Sequence, residues 1–96
     1  MPSGMFTVIA FDIVDDRTRY RVVQLLREYA VRVQKSVFEA PALAPNAFQR
    51  LRDAVEKVID ARVDKVRYYF LCGGCVRRID LSGTGTVTPN EEYKVL

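Results

Sequence analysis

Residues 7–16 (TVIAFDIVDD) constrain the fold of this chain more than any other stretch. They begin inside the apolar run 6–11, whose β-branched and aromatic residues are typical of a buried central strand. The run then changes abruptly to acidic residues, first at Asp12 and again at Asp15 and Asp16. Either of the last two suits the N-cap of a helix, whereas Asp12 precedes that cap. A strand that ends in such a carboxylate places it at the rim of a rigid sheet.

The length and composition indicate one domain with its own core. A chain of 96 residues and 11.0 kDa buries about 65% of its unfolded surface. No stretch approaches the roughly 20 apolar residues of a membrane span, and the first residues do not resemble a secretion signal. We therefore expect a cytoplasmic protein with no membrane partner, and exclude residues 1–4 from the fold.

The absence of histidine narrows the possible chemistry. With no imidazole, the chain has no Ser–His or Cys–His nucleophile and no histidine metal ligand. A glycine-rich phosphate loop of the Walker type is also missing. Catalysis by this chain would therefore use carboxylates, a metal ion, arginine or tyrosine.

Positive charge is concentrated in the first third of the chain. The segment 17–35 contains six basic residues and a single acid, Glu28. This pattern is compatible with a phosphate-bearing partner and equally with a solvated, charged helix face.

Hydrophobic periodicity predicts alternating strands and helices. The predicted elements are strand 5–12, helix 16–29, a strand region 31–39, a connector 40–45, helix 45–60 and strand 65–72. The region 31–39 changes phase midway, so it is either one bulged strand or two short strands. Gly73-Gly74 suits a two-residue hairpin turn, followed by a returning strand 75–81, a loop 82–90 and a terminal strand 91–96.

Two helices on one face of an antiparallel sheet predict a ferredoxin-like α+β sandwich of βαββαβ order with an extra C-terminal strand. We divide the chain into a domain 5–81 and a segment 82–96. The two cysteines, Cys72 and Cys75, have CxxC spacing, but a structural zinc site needs four ligands. A zinc site pooled in a dimer and a disulfide stay open, and two free, buried thiols are favoured.

Several of these residues resemble the CRISPR-associated protein 2 family, the small subunit that partners the CRISPR integrase. The matching stretches are Phe11-Asp12-Ile13-Val14-Asp15-Asp16, the basic helix with Arg19 and Arg21, and Arg32-Val33-Gln34-Lys35-Ser36-Val37-Phe38-Glu39. The resemblance extends over residues 5–81, and the tail is similar to the family's swapped C-terminal strand. Two departures are Phe11 in place of the usual Tyr, and Ala30 in place of the usual Gly.

The resemblance implies a homodimer in which 82–96 pairs at the interface and two Asp12 carboxylates share one Mg²⁺. It implies a metal-dependent endonuclease of CRISPR adaptation, with single-stranded RNA as the first substrate to test. The nucleic-acid-binding positions that it implies are Arg19, Arg21, Arg32, Ser36 and Phe38, the last being favoured as a core residue. The alternatives are a non-catalytic, DNA-binding adaptor for the integrase and a toxin-type ribonuclease.

Overall fold

The computed structural model of the chain describes residues 4–83. Its elements are β1 Met5–Asp12, α1 Asp16–Arg27, β2 Val31–Gln34, β3 Val37–Leu43, α2 Pro45–Val58, β4 Lys65–Leu71 and α3 Gly73–Arg77. The four strands form one antiparallel sheet in the order β2-β3-β1-β4. The predicted ferredoxin-like βαββαβ sandwich is confirmed. The predicted strand 91–96, most of the loop before it and the role of 82–96 lie outside the described residues.

The central strand β1 separates the two faces of the sheet. Ile9 lies opposite Phe38 of β3 and Tyr68 of β4, and all three point toward the helices. The intervening residues point the other way, because side chains alternate along a strand. We call that second surface the open face; its residues include Val8, Ala10 and Asp12 of β1 and Lys65, Arg67 and Tyr69 of β4.

The helices bury the apolar stripes that the sequence predicts. Val22 and Leu26 of α1 and Leu51 and Val55 of α2 have no exposed surface, and all four belong to one cluster with the inner face of β1. This cluster is the hydrophobic core, so α1 and α2 cover the same side of the sheet. At its edge, burial raises the pKa of Tyr68 to about 12.

Residues 31–39 form two strands and not one. β2 and β3 pair as a hairpin through a turn at Lys35-Ser36, with a register irregularity between Arg32 and Gln34. The change of phase in the sequence therefore marks the turn.

The predicted connector 40–45 is wrong in its first part, because β3 continues to Leu43. β2 pairs with β3 only as far as Glu39, so Pro41 lies beyond the end of its neighbour. There the missing N–H of proline breaks no ladder hydrogen bond on that side of the strand.

Both helices end two residues earlier than predicted. α1 ends at Arg27, where the N–H groups of Tyr29 and Ala30 both donate to the Leu26 carbonyl. α2 ends at Val58, since the Asp60 N–H donates to the Asp64 carboxylate and not to the helix. Side-chain competition for backbone donors ends helices in this way.

The predicted hairpin after β4 is wrong. Gly73 and Gly74 begin α3, and the Val76 N–H donates to the Cys72 carbonyl at 3.0 Å. Within residues 4–83 only Gly83 has a positive φ, so the pair lacks the conformation of a primed hairpin turn. Cys72 and Cys75 are free, as predicted, but they are exposed and not buried. No helix in the described part of the chain is long and apolar enough to cross a membrane.

Candidate functional site

Asp12 ends the central strand on the open face. It lies opposite Lys65, the first residue of β4, and its side chain is exposed. Within residues 4–83 its carboxylate has no hydrogen-bond or ion-pair partner. Residues 6–10 of β1 lie between two paired strands, so the Asp12 carboxylate is attached to a rigid support.

Two clefts meet at Asp12. One, of about 280 Å³, lies on the open face and is lined by Ala10, Phe11, Asp12, Lys65 and Arg67. The other, of about 480 Å³, is lined by Phe11, Asp12, Ile13, Arg19, Lys35 and Ser36. Four cationic side chains therefore border the clefts that contain this single carboxylate. The surroundings of Asp12 are suited to a polyanion.

The loop after Asp12 is fixed by a buried carboxylate that the sequence did not single out. Asp64 is 7% exposed, and its Oδ1 accepts a hydrogen bond from the Val14 N–H at 3.1 Å. Its Oδ2 accepts from the Asp60 N–H at 2.9 Å. The β1–α1 loop and the α2–β4 loop are joined through this one side chain. No local motif marks it, because its partner Val14 is fifty positions away in sequence.

Arg19 holds the same loop from the side of α1. Its Nη2 donates to the Ile13 carbonyl at 3.0 Å, and its Nη1 forms an ion pair with Asp16 at 2.6 Å. The guanidinium borders the larger cleft, but these contacts use part of its donor capacity. The structure thus gives Arg19 a positioning role beside Asp12.

The start of α1 confirms one of the two predicted caps. Asp15 is the N-cap, and its Oδ2 accepts from the Thr18 N–H at 2.9 Å and from the Thr18 hydroxyl at 3.1 Å. These hydrogen bonds, the backbone one foremost, hold the pKa of Asp15 below its ordinary value. The cap uses Asp15, so the neighbouring Asp12 carboxylate is left for another role.

The β2–β3 turn reaches the site through backbone contacts. The Ser36 carbonyl accepts from the Phe11 N–H at 3.0 Å, which fixes the turn next to Asp12. Arg32 donates to the Lys35 carbonyl through Nε at 3.1 Å and through Nη2 at 2.6 Å. Ser36 is exposed at the larger cleft, whereas Arg32 is outside the cleft lining and stabilises the turn.

Three of the five predicted nucleic-acid contacts do not line the clefts, namely Arg21, Arg32 and Phe38. Phe38 has no exposed surface, so the core role that was favoured for it is confirmed and direct contact with a base is excluded in this protomer. The Arg32 guanidinium carbon lies 5.9 Å from the centre of that ring. Arg21 is exposed on α1 and does not line either cleft.

Three basic residues near Asp12 were not among the site residues predicted from the sequence. Lys65 and Arg67 reach the smaller cleft because antiparallel pairing brings the start of β4 to the end of β1. Lys35 reaches the larger cleft from the β2–β3 turn. A signal for the first two was present, since basic residues alternate with Val66 and Tyr68 along β4.

Among residues 4–83, Asp12 supplies the single carboxylate that lines the two clefts. Among residues 4–83 no group of three or more His, Cys, Asp or Glu side chains could hold a metal ion. Mg²⁺ commonly takes one or two protein carboxylates and keeps several waters. The exposed carboxylate oxygens of Asp12 are of the ligand type that such an ion takes.

Comparison with known proteins shows the family of this chain. Residues 5–79 match the family described as CRISPR associated protein Cas2. The chain belongs to the Cas2 family. The family resemblance that the sequence motifs predict is thereby confirmed.

Relatives within the Cas2 family cover nearly the whole chain. A protein of Chloroflexus aurantiacus named CRISPR-associated endoribonuclease Cas2 3 is 44% identical over 93% of this chain and 95% of its own length. The crystal structure of Cas2 from Streptococcus pyogenes has a TM-score of 0.73 at 27% identity, covering 82% of this chain and all of that one.

A third similarity concerns the fold alone. In a structure described as a partial Cas6-RT-Cas1–Cas2 complex, one chain has a TM-score of 0.69 at 24% identity. It covers 88% of this chain and 99% of that chain.

Proposed function

We propose that this Cas2 family member is a homodimeric, Mg²⁺-dependent endonuclease of CRISPR adaptation, and single-stranded RNA is the first substrate to test. The observation that carries the proposal is the unpaired Asp12 carboxylate, which ends the central strand on the open face and is bordered by cations. The endoribonuclease name of the Chloroflexus aurantiacus relative supports the reaction class.

The proposed chemistry is distributed over the two clefts. Bound Mg²⁺ would supply a Lewis acid for the phosphodiester and lower the pKa of water. Lys65 and Arg67 lie on the open face beside Asp12, where their charges would hold a phosphate next to that carboxylate. Lys35 would contact the strand from the other cleft. These side chains position a backbone without reading its sequence.

The homodimer follows from the position of Asp12. The two helices cover only one side of the sheet, and the open face exposes apolar surface at Tyr69, which is 46% exposed. If two protomers pack these faces around a two-fold axis, the Asp12 side chains approach each other. The pair would then provide the two carboxylates that one protomer lacks.

A second candidate is a non-catalytic adaptor that binds duplex DNA for the CRISPR integrase. Arg21 favours it, because this exposed cation lies on α1 outside the clefts and has no partner within residues 4–83. The toxin-type ribonuclease is disfavoured by the Cas2 family match over residues 5–79.

The test is cleavage of labelled single-stranded RNA and duplex DNA by the wild-type dimer and by Asp12→Asn, each with Mg²⁺ and with EDTA. We expect Mg²⁺-dependent cleavage by the wild type and a loss of at least about a hundredfold in Asp12→Asn, since the metal loses its protein ligand. The matched control is Asp53→Asn on α2, an exposed carboxylate on the opposite side of the sheet, which should cleave like the wild type. Equal cleavage by Asp12→Asn would overturn the assignment. No cleavage by any of them, with duplex binding intact, would favour the adaptor.

A further inference from the structure

Cys72 and Cys75 form a close pair at the end of the sheet that is far from Asp12. Their sulfur atoms are 3.5 Å apart, and both residues are exposed. Leu71, the last residue of β4, pairs with Phe6, whereas Asp12 pairs with the first residue of β4. Six strand residues separate the two ends, which corresponds to about 20 Å. The thiol pair is therefore distinct from the candidate nuclease site.

We propose that Cys72 and Cys75 are a redox-active dithiol that forms an intramolecular disulfide by exchange with low-molecular-weight disulfides. The chain has only these two cysteines, so no other thiol competes for the pairing. Metal binding by one chain is a poorer fit, because no third His, Cys, Asp or Glu joins them among residues 4–83.

The backbone already has the geometry that a disulfide needs. Cys72 directly precedes α3 and Cys75 lies in its first turn, so the three-residue spacing brings both side chains to one side of the turn. Closing the bond shortens the sulfur–sulfur distance by about 1.5 Å, a movement that side-chain rotation supplies. Because both residues are exposed, a small disulfide can reach them without unfolding of the protein.

The two thiols are not equivalent. The nearby backbone N–H of Cys75, then its thiol and the Gly74 N–H, hold the pKa of the Cys72 thiol below its ordinary value. The same contact raises the pKa of the Cys75 thiol. Cys72 is thus the attacking sulfur and Cys75 the resolving one.

The Arg77 guanidinium lies beside the two glycines that separate the thiols. The Arg77 side chain folds back along α3, and its Nη1 lies 3.5 Å from the position that a Cβ would have at Gly73. A Cβ on Gly74 would lie 3.9 Å from both the Cys72 sulfur and Nη2 of Arg77. The Arg77 guanidinium and the Cys72 sulfur therefore both lie near Gly74.

The exchange proceeds in two balanced steps. The Cys72 thiolate attacks one sulfur of a small disulfide such as oxidised glutathione, forms a mixed disulfide and releases one glutathione thiolate, which takes up the proton lost from Cys72. Cys75 then loses its proton and attacks the Cys72 sulfur, releasing the second glutathione as a thiol. The protein loses two protons and two electrons, and the glutathione disulfide gains them.

The test is intact-mass spectrometry of the full chain after equilibration in buffers of reduced and oxidised glutathione at pH 7, with alkylation of the remaining thiols. We expect one population without alkyl groups that is lighter by two hydrogen atoms and runs as a single chain without reductant. Cys75→Ser should instead accumulate the mixed disulfide on Cys72. In limiting iodoacetamide, Cys72 should be alkylated several-fold faster than Cys75.

Three results would overturn the proposal. The first is retention of two alkylatable thiols in oxidised glutathione, and the second is a stable adduct of two glutathiones per chain. The third is oxidation that produces only disulfide-linked pairs of chains. Urea-unfolded chain serves as the reference: if its two cysteines show the same ratio of alkylation rates as those of the folded protein, the fold does not activate Cys72.

Discussion

The Asp64 carboxylate links two loops at the end of the sheet that carries Asp12. It is almost fully buried and accepts hydrogen bonds from the backbone of Val14 and of Asp60. A buried carboxylate is tolerated only when such donors satisfy it. The segment that follows Asp12 owes its position to this side chain and to Arg19, which binds the neighbouring Ile13 carbonyl.

We predict that Asp64→Ala lowers the free energy of unfolding by about 3 kcal/mol, because two partly buried N–H groups lose their carboxylate acceptor. Urea denaturation of the wild type and the variant measures the difference. Asp53→Ala is the matched control: its carboxylate accepts one exposed hydrogen bond from Gln49, and its loss should change stability by less than about 0.5 kcal/mol. Equal effects of the two variants would contradict the proposed role of Asp64.

At the residue scale, the sequence identified side chains whose interactions involve residues close to them in the chain. Asp15 was one of two predicted N-caps of α1, because capping depends on the next three residues. Asp12 precedes that cap, so the sequence indicated a different role for its carboxylate. Lys65 and Asp64 were missed because their contacts depend on how β4 aligns with β1 across some fifty residues. Periodicity identifies the face of a strand and does not identify its partner.

Helix α1 presents basic side chains whose roles differ by their contacts. Arg19 is bound to Asp16 and to loop carbonyls, whereas Arg21 is exposed and unpartnered within residues 4–83. A free guanidinium can contact a nucleic-acid phosphate without giving up an internal hydrogen bond.

We predict that Arg21→Ala weakens duplex DNA binding equally for all sequences and reduces the slope of log affinity against log salt by about 1, with an unchanged melting temperature. Fluorescence anisotropy over a salt series measures both quantities. Arg19→Ala is the comparison, and it should lower the melting temperature because the loop after Asp12 loses its anchor. A loss of affinity confined to one sequence in Arg21→Ala would contradict positioning without readout.

At the scale of secondary-structure elements, the predictions were wrong at positions where the same residues are compatible with two different structures. Gly73-Gly74 suits a hairpin turn in isolation, but neither residue has the positive φ that such a turn requires, and α3 forms. Pro41 resembles a connector residue until the short length of β2 is known. The strands and helices with long periodic patterns, β1 and α2 above all, were predicted within two residues of their observed ends.

The molecule as a whole has one covered and one uncovered side of its sheet. Both α1 and α2 contribute to the core on one side, and the open face combines apolar surface with Asp12 and its cations. In the homodimer that we propose, a second copy of the chain covers this face and brings a second carboxylate to Asp12.

We predict that Tyr69→Glu, which places a charge in the centre of the proposed interface, shifts the protein from dimer to monomer at micromolar concentration. Sedimentation equilibrium measures the mass. Tyr20→Glu is the matched control, since Tyr20 is 65% exposed on α1 and should leave the dimer intact. If Tyr20→Glu dissociates the dimer and Tyr69→Glu does not, the interface lies on the helices and not on the open face.

The central claim is that two Asp12 carboxylates share one metal ion, and the most direct test is the stoichiometry of Mn²⁺ binding, with Mn²⁺ as a spectroscopic substitute for Mg²⁺. Electron paramagnetic resonance titration of the wild-type dimer should give one tightly bound ion for every two chains. Asp12→Asn and the monomeric Tyr69→Glu should both lose that ion, since each lacks the paired carboxylates. One ion per chain, or binding that survives in Asp12→Asn, would contradict the shared site.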